Sequence, residues 1–445
     1  MLYLALALVL IAILYARTFT FKNLIDDKVR MGDYLYSVPL TAPDPEFYMS
    51  KPALSLRVWA ITVHMLSTWL VYLLLGGKAA LLFAIYPVAV NNVAWITGSY
   101  YSTTAFLTLV SYYFITHTPW WLGLPLGATF FAVALNTTVA AISFPFVFLF
   151  GNPLGLVTLV SLAGFLTGKR FKTGLAIRVK MGDVTNKLPD RLEPRKLALA
   201  VKVVAWYLYI AFVPYRMCFF HRWGHFFLSD KKEHDELLAF NAHFWASAGL
   251  IGAWIALGAA TGMLFWAMWF LVLMSAFCQF KSLGQFVAER YMYPASVGFI
   301  AIAALLPEPV YWVLVGAYLV RTFLFMPVFQ NNKEMYSNGV RMDSTEASNY
   351  LNLGDWYITC ERDYSLAGYN FGQVVKYDPK DYKPHNNMGS IFSMMGLHEL
   401  AVKELKIARQ KVVGWTSDHF IGIIDRHLAQ EERLADAQRE PAGQV

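Results

Sequence analysis

The first long polar interval of the sequence carries the residues best suited to chemistry. Residues 17–52, RTFTFKNLIDDKVRMGDYLYSVPLTAPDPEFYMSKP, lie between two apolar runs and hold adjacent carboxylates at Asp26 and Asp27, with a third at Asp33. Adjacent carboxylates repel each other, which favours protonation of one of them and suits a general base. Acids in a loop beside a membrane are also commonly plain solvated surface. The pair alone therefore does not decide between catalysis and solubility.

The elements that must position these acids are membrane helices. Of 445 residues, 57% are hydrophobic and 15% charged, and the mean hydropathy is +0.42, a balance typical of polytopic membrane proteins. The net charge of +7 suits contact with anionic lipid, whereas no basic run is dense enough to predict nucleic-acid binding. The three cysteines, Cys218, Cys278 and Cys360, supply neither a disulfide framework nor a zinc motif.

The apolar runs set the expected number of membrane crossings. They fall near residues 2–16, 53–75, 79–97, 100–117, 120–150, 151–168, 197–214, 244–259, 261–280, 291–306 and 309–329. A crossing helix needs about 20 residues, which predicts about eleven crossings. The 120–150 region, interrupted at Asn136-Thr137-Thr138, is either one broken helix or two short ones. The first run has no basic start and no small-residue cleavage site, so it predicts an uncleaved anchor.

Loop charge predicts the orientation. Residues 169–196 carry nine lysines and arginines against three acids, which places them in the cytoplasm. With about eleven crossings, the first loop, the loop 215–243 and the C-terminus then lie on the far side. The loop 215–243 is amphipathic and aromatic, as in outer interfacial segments. Its His221 and His225 have a spacing that a metal could use, but without carboxylates at fixed spacing, contact with phosphate or the interface is favoured.

A separate repeat domain is predicted over residues 343–437. Residues 347–410 fit two helix-turn-helix repeats of the tetratricopeptide type, and a helix near 417–437 serves as a cap. In the second repeat the packing positions are Met388, Gly389, Phe392, Gly396, Ala401, Leu405 and Ala408. Such a solenoid holds a protein segment in its concave face, and the candidate contacts are Tyr350, Tyr357, Asn386 and Asn387. The alternative is a purely structural lid.

Two motifs resemble one enzyme superfamily. Residues 83–114, FAIYPVAVNNVAWITGSYYSTTAFLTLVSYYF, and 280–299, FKSLGQFVAERYMYPASVGF, resemble membrane segments of GT-C glycosyltransferases that carry tetratricopeptide repeats. The stretch FKNLIDDKVRMGDY falls where that family keeps its first-loop acidic pair. The chain departs from the family where His, Glu, Arg and Asp are usual, with Tyr86, Asn91, Ser99 and Tyr101 in their places. These departures leave the sugar open.

The resemblance implies an all-α fold, a GT-C transmembrane catalytic domain over residues 1–330 followed by a small solenoid. It also implies a reaction in which one sugar moves from a polyprenyl-phosphate carrier to an acceptor on the far side of the membrane. Similar bacterial enzymes glycosylate type IV pilins, some with arabinofuranose, and relatives use mannose. The implied setting is the bacterial inner membrane, with the active site and the C-terminal domain in the periplasm.

The resemblance also implies roles for individual residues. Asp26 is the expected base, with Asp27 tuning it or binding the acceptor, and the pair is a possible site for a divalent cation such as Mg²⁺ or Mn²⁺. Arg290, at the end of an apolar run, suits the carrier's phosphate, although an interfacial arginine that snorkels to the headgroups fits equally. Further candidates for contact with the donor are Tyr293, Glu289, Lys51, Arg57, His221 and Arg222. For Lys51 and Arg57, lipid anchoring is the favoured interpretation.

Two other functions stay open at the level of sequence. The acceptor could be a glycan or a lipid, in which case deletion of residues 343–445 would leave activity largely intact. The chain could instead be an inactive scaffold or a transporter, although it shows no internal inverted repeat.

Overall fold

The computed structural model describes residues 1–24, 45–137, 139–167, 194–221, 238–279, 287–412 and 417–439. Of these residues 82% are helical and none lies in a strand. The predicted all-helical class is therefore confirmed. The described chain divides into two compact units: residues 1–24 and 51–330 form the first, and residues 45–50 with those from 331 onward form the second.

The first unit is built from helices of very unequal length. They are α1 (Leu2–Ala16), α2 (Leu54–Leu75), α3 (Gly77–Ala84), α4 (Val90–Val93), α5 (Ser99–His117), α6 (Trp120–Thr137), α7 (Phe144–Gly151), α8 (Leu156–Thr167), α9 (Arg195–Phe212), α10 (Ala242–Ala260), α11 (Leu264–Ser275), α12 (Met292–Ala303) and α13 (Glu308–Phe325). Short 3₁₀ turns connect several of them, notably Pro87–Ala89, Val139–Ser143 and Glu289–Tyr291.

Four helical segments of the described chain are long and apolar enough to cross a membrane. They are Leu2–Thr20, Leu54–Leu75, Ala242–Ala260 and Glu308–Phe329. Pro153–Thr167 and Leu264–Ser275 are apolar but shorter. The chain is thus a membrane protein by the length and composition of its helices, and the number of eleven crossings stays a prediction.

Two of the predicted apolar runs are interrupted helices. The run 79–97 consists of α3, the 3₁₀ turn Pro87–Ala89, α4 and a turn, because Pro87 has no N–H to donate and restricts the backbone before it. The run 120–150 follows its two-helix alternative, since α6 ends at Thr137 and α7 begins at Phe144. The run 79–97 matters most for function, because it carries polar side chains into the unit.

The second unit consists of consecutive helices that each pack against the next. They are α14 (Asn332–Met342), α15 (Ala347–Trp356), α16 (Tyr364–Tyr377), α17 (Lys383–Met394), α18 (His398–Lys411) and α19 (Ser417–Arg439), with a π-helical turn at Tyr357–Glu361 and the short helix Pro45–Met49. One core cluster joins α15, α16 and α17 around Phe371, and a second joins α18 and α19 around Leu405.

Glycines allow close contact between α15 and α16 and between α17 and α18. A Cβ on Gly354 would lie 2.6 Å from the ring of Phe371, and one on Gly389 would lie 2.8 Å from Leu405 Cγ. Gly389 is one of the packing positions of the second predicted repeat. The assignment to the tetratricopeptide type itself stays a prediction.

Candidate functional site

Two interrupted segments meet inside the first unit. Asn92, on α4, donates through Nδ2 to the carbonyl oxygen of Arg290 at 3.0 Å and to that of Gly98 at 3.3 Å. Just before the turn Glu289–Tyr291, the Ala288 amide donates to the hydroxyl of Tyr207 at 3.1 Å. In a membrane bundle, non-helical backbone is tolerated where protein buries it or where it lines a cavity. This junction therefore brings buried polar groups from two interrupted segments together inside the unit.

Arg57 connects this junction to the start of the first loop. It lies on α2 and is only 2% exposed. Its Nη1 donates to the carbonyl oxygen of Ala94, and its Nη2 donates to that of Lys22 at 3.4 Å. The Lys22 amide in turn donates to the carbonyl oxygen of Gln330 at 2.9 Å. The loop that carries the acidic pair therefore begins beside a buried arginine.

Arg290 is surrounded by aromatic rings. Its guanidinium carbon is 5.5 Å from the ring centre of Trp95, 5.3 Å from that of Phe219 and 5.0 Å from that of Tyr291, and the side chain is 7% exposed. Aromatic faces stabilise a planar, weakly hydrated guanidinium inside protein. A planar guanidinium is also the side chain best shaped to bind phosphate or carboxylate oxygens.

The residue before Arg290 is a buried acid, Glu289, and it is hydrogen-bonded to an imidazole, that of His221. Glu289 is fully buried, and its Oε1 accepts hydrogen bonds from His221 Nε2 at 2.8 Å and from the Cys218 amide at 3.1 Å. The His221 ring also packs edge-on against Trp206 at 5.3 Å. Because the carboxylate accepts, Nε2 carries the hydrogen of this bond. The pair fixes residues 218–221 against the turn that presents Arg290.

Buried polar atoms of two asparagines, a tryptophan and a glutamate at this junction make no hydrogen bond within the described residues. They are Asn91 Oδ1, Asn92 Oδ1, Trp95 Nε1 and Glu289 Oε2. Each such atom costs about 1–3 kcal/mol when it is left unsatisfied, and native proteins seldom leave several together. Three of these atoms are acceptors, so a ligand that reached the cluster would recover that cost by donating hydrogen bonds, as hydroxyl groups do. We call the whole set the junction site: Arg57, Asn91, Asn92, Trp95, His221, Glu289 and Arg290.

The other predicted donor-site residues lie elsewhere. Tyr293 is buried on α12, and its hydroxyl donates to His64 Nδ1 at 2.7 Å, while His64 Nε2 donates to the carbonyl oxygen of Ala84 at 3.2 Å. Tyr293 thereby links α12 to α2 and α3. Lys51 is exposed just before α2. The predictions on Asp26, Asp27, Arg222 and His225 concern residues outside the described chain.

The candidate acceptor residues of the second unit fall into two groups. Tyr350 is buried and donates to the carbonyl oxygen of Ser344 at 3.1 Å, and Tyr357 lies under the Lys333 ammonium at 5.3 Å. Asn386 and Asn387 instead form a polar chain with an acid on the neighbouring helix α15.

This polar chain includes Asp355, which the residue pattern alone does not mark as a candidate. Asn386 Nδ2 donates to Asn387 Oδ1 at 3.2 Å, and Asn387 Nδ2 donates to Asp355 Oδ1 at 2.6 Å. Burial raises the pKa of the Asp355 carboxyl to about 7, against the weaker opposing effects of Lys383 and of the Asn387 hydrogen bond. The raised pKa makes Asp355 sensitive to pH near neutrality.

The described residues hold no group of three or more His, Cys, Asp and Glu side chains arranged for a metal ion. The two acids predicted to bind a divalent cation lie outside that part of the chain. No family model, curated protein or solved structure matches this chain. The junction site and the motifs of the sequence therefore carry the assignment of function.

Proposed function

We propose that this chain is a GT-C glycosyltransferase that moves one sugar from a polyprenyl-phosphate carrier to a hydroxyl group of a protein. The junction site carries this proposal, because it buries two arginines, Arg57 and Arg290, among interrupted helices beside the start of the acidic first loop. A buried guanidinium with fixed neighbours suits a phosphate that gains charge as its bond to the sugar breaks.

In the proposed reaction, the first loop supplies the base and the junction site binds the leaving phosphate. Asp26 takes the proton of the acceptor hydroxyl as its oxygen attacks the anomeric carbon. The carbon–oxygen bond to the carrier breaks at the same carbon, and the polyprenyl phosphate leaves with the electron pair near Arg290. Asp27 adjusts the pKa of the base or binds the acceptor. Asp26 and Asp27 are the residues that would hold Mg²⁺ or Mn²⁺ if the reaction uses one.

The second unit is the proposed acceptor-binding domain. Its helices α15 and α17 pack side by side, and the chain of Asn386, Asn387 and Asp355 crosses between them. Side-chain amides and a carboxylate suit the N–H and C=O groups of an extended protein segment. The close contacts at Gly354 and Gly389 support the tetratricopeptide assignment. The acceptor we propose is a secreted protein such as a type IV pilin.

The proposal includes a location and a substrate range. The chain crosses the bacterial inner membrane about eleven times, with residues 169–196 in the cytoplasm and the catalytic loop and repeat domain in the periplasm. The sugar is a pentose such as arabinofuranose, or mannose. No nucleic acid is involved.

The test is the intact mass of surface proteins, pilins first, from cells that express the wild-type chain, Asp26→Asn, Asp33→Asn or no copy. Asp33→Asn is the matched control, since it removes another first-loop acid. We expect a sugar-sized mass increase with the wild type and with Asp33→Asn only. Its size separates a pentose from a hexose.

Two other results have definite meanings. An Asp26→Asn chain that modifies its acceptor as well as the wild type removes that residue from the reaction. If no protein gains mass but a glycan or lipid changes when the gene is present, the acceptor belongs to that class of molecule. If neither changes, the chain is a scaffold or a transporter.

A further inference from the structure

The turn between α17 and α18 in the second unit carries large apolar side chains that are exposed. Met394, Met395, Leu397 and Leu400 lie at the end of α17 and the start of α18, and their exposed fractions are 51%, 53%, 42% and 43%. A run of large apolar side chains on one surface marks a site of contact with another apolar surface.

Backbone hydrogen bonds fix the shape of this turn. The Leu397 amide donates to the carbonyl oxygen of Phe392 at 2.8 Å, and the Gly396 amide donates to that of Ser393 at 2.9 Å. Gly396 has a φ of +73°, in the left-handed region that glycine adopts without strain. This is the Schellman ending of a helix, so the apolar side chains are presented by an ordered turn.

The apolar turn is at the same end of the unit as two of the points where the chain passes between the units, after Ser50 and before Asn331. The Tyr364 hydroxyl donates to Met394 Sδ at 3.8 Å, which places the start of α16 beside the turn. The π-helical turn that comes just before α16 contacts the helix Pro45–Met49, and its Glu361 pairs with Lys333 at 2.7 Å. Ser50, where the chain leaves the unit, and the start of α14, where it returns, therefore lie at this end.

Both connections join candidate membrane spans after very few residues. The span Leu54–Leu75 begins four residues after Ser50, and the span Glu308–Phe329 ends three residues before Asn332. Four residues of fully extended chain reach at most about 14 Å. The end of the unit that carries the apolar turn is thus tethered by two short segments to candidate membrane spans.

The opposite end of the same helices has charged residues in its turns, at Asp343, Asp378, Lys380 and Asp381. The end with the apolar turn is charged as well, through the ion pairs Lys333–Glu361 and Arg439–Glu399. What distinguishes it is the group of exposed methionine and leucine side chains among those charges.

We propose that the turn 394–400 docks the second unit onto the lipid bilayer by inserting its methionine and leucine side chains into the membrane interface. Apolar side chains at an interface are buried to a depth of about 5–10 Å, and a surface that is already tethered needs few of them for a lasting contact. The docking fixes the orientation of the repeat domain against the membrane, and it does not depend on the sugar-transfer reaction.

The test uses the full chain in vesicles of phosphatidylcholine and phosphatidylglycerol. Bimane is attached at Met395→Cys or Leu400→Cys in a Cys360→Ser background, because Cys218 and Cys278 are buried. Lipid carrying a nitroxide on its acyl chain serves as the quencher. The matched control is bimane at Lys380→Cys, an exposed site at the other end of α17.

We expect the nitroxide lipid to quench bimane at 395 and 400 about twofold and to leave 380 unchanged. Aqueous iodide should quench 380 and spare the other two sites. Equal behaviour at all three sites would overturn the proposal. So would protection of 395 and 400 from both quenchers, because a second copy or another protein would then cover the turn. Helical circular dichroism of each labelled chain confirms that it is folded.

Discussion

Asn92 is the side chain that joins the two halves of the junction site. Its amide makes two hydrogen bonds to backbone carbonyl oxygens, one of them on Arg290, which is 198 residues away in the sequence. Its neighbour Asn91 is equally buried, and in both residues Oδ1 accepts no hydrogen bond from the described residues, but it is the Asn92 amide that reaches Arg290. The two asparagines therefore differ in what they contribute.

Asn92→Ala should destabilise the first unit more than Asn91→Ala. Loss of Asn92 removes the side-chain donor of the Arg290 carbonyl oxygen, at a cost of about 1–3 kcal/mol, while the Gly98 carbonyl oxygen still accepts from the Tyr101 amide. Both substitutions remove an unsatisfied side-chain oxygen, so the lost bond to Arg290 is the difference between them. The measurement is the temperature at which buried Cys218 and Cys278 react with a maleimide dye, in a Cys360→Ser background. A fall of several degrees for Asn92→Ala alone is expected. Equal shifts would contradict the linking role.

Arg290→Gln should reduce sugar transfer by about 10²–10³-fold, the usual effect of removing one donor to a developing negative charge. Arg321→Gln is the control, because Arg321 donates to the carbonyl oxygens of Pro214 and Tyr215 and lies outside the junction site. Transfer rates are measured with purified full chain and radiolabelled donor in vesicles. Comparable losses in both variants would assign Arg290 a structural role only.

Asp355 makes the second unit less stable as pH rises. Its pKa in the folded chain is about 7 against 3.8 for a free side chain, so the folded state binds the proton more tightly. The free energy of unfolding then falls between about pH 4 and pH 7, by an amount on the order of 2 kcal/mol because the side chain keeps some contact with water.

Asp355→Asn removes this dependence and should raise stability at pH 8 relative to the wild type. Amide hydrogen exchange of α15 and α17 in the full chain, corrected for intrinsic rates at pH 5 and pH 8, measures it. Exchange that slows in the wild type on going from pH 5 to pH 8 would reverse the expected sign.

At the scale of elements, the close packing of α12 against α11 in the first unit depends on a glycine. Gly298 on α12 faces α11, and a Cβ there would overlap the carbonyl oxygen of Trp266 and lie 2.9 Å from the Phe270 amide. Neither backbone group can move without shifting α11. Gly316 on α13 has open space where its Cβ would be.

Gly298→Ala should lower the stability of the first unit, whereas Gly316→Ala should leave it unchanged or raise it. Overpacking costs about 1–3 kcal/mol, and alanine otherwise favours a helix over glycine by up to about 1 kcal/mol. The same maleimide-dye melting measures both variants. Equal melting temperatures would show that α11 and α12 separate more easily than their contact suggests.

At the scale of the whole molecule, the proposed function divides between the two units. The first unit carries the junction site, and the second carries the polar chain of Asp355, Asn386 and Asn387. If the second unit selects a protein acceptor, its removal should not prevent attack on the donor by water.

Deletion of residues 343–445 should abolish modification of the protein acceptor and leave slow hydrolysis of the polyprenyl-phosphate sugar. Hydrolysis is followed by release of radiolabelled sugar, with full-length Arg290→Gln as the inactive control. Unchanged transfer by the truncated chain would instead favour a glycan or lipid acceptor.

The sequence alone determined the class of this protein and the positions of most helices. Its apolar runs predicted an all-helical membrane protein, and that class is observed because burial in lipid requires long apolar stretches whatever their partners. The motif around Glu289 and Arg290 also indicated one half of the junction site, since charged residues at the end of an apolar run stand out by residue type alone.

The tertiary structure decided which polar residues meet. Nothing in the pattern shows that Asn92 bonds to Arg290, that Arg57 binds the carbonyl oxygen of Ala94, or that Asp355 joins Asn387. Hydrophobic periodicity reports how buried a residue is and not which distant residue it touches. Pairing between residues far apart in the chain is set by how helices pack, and it is this packing that turns separate polar residues into a site.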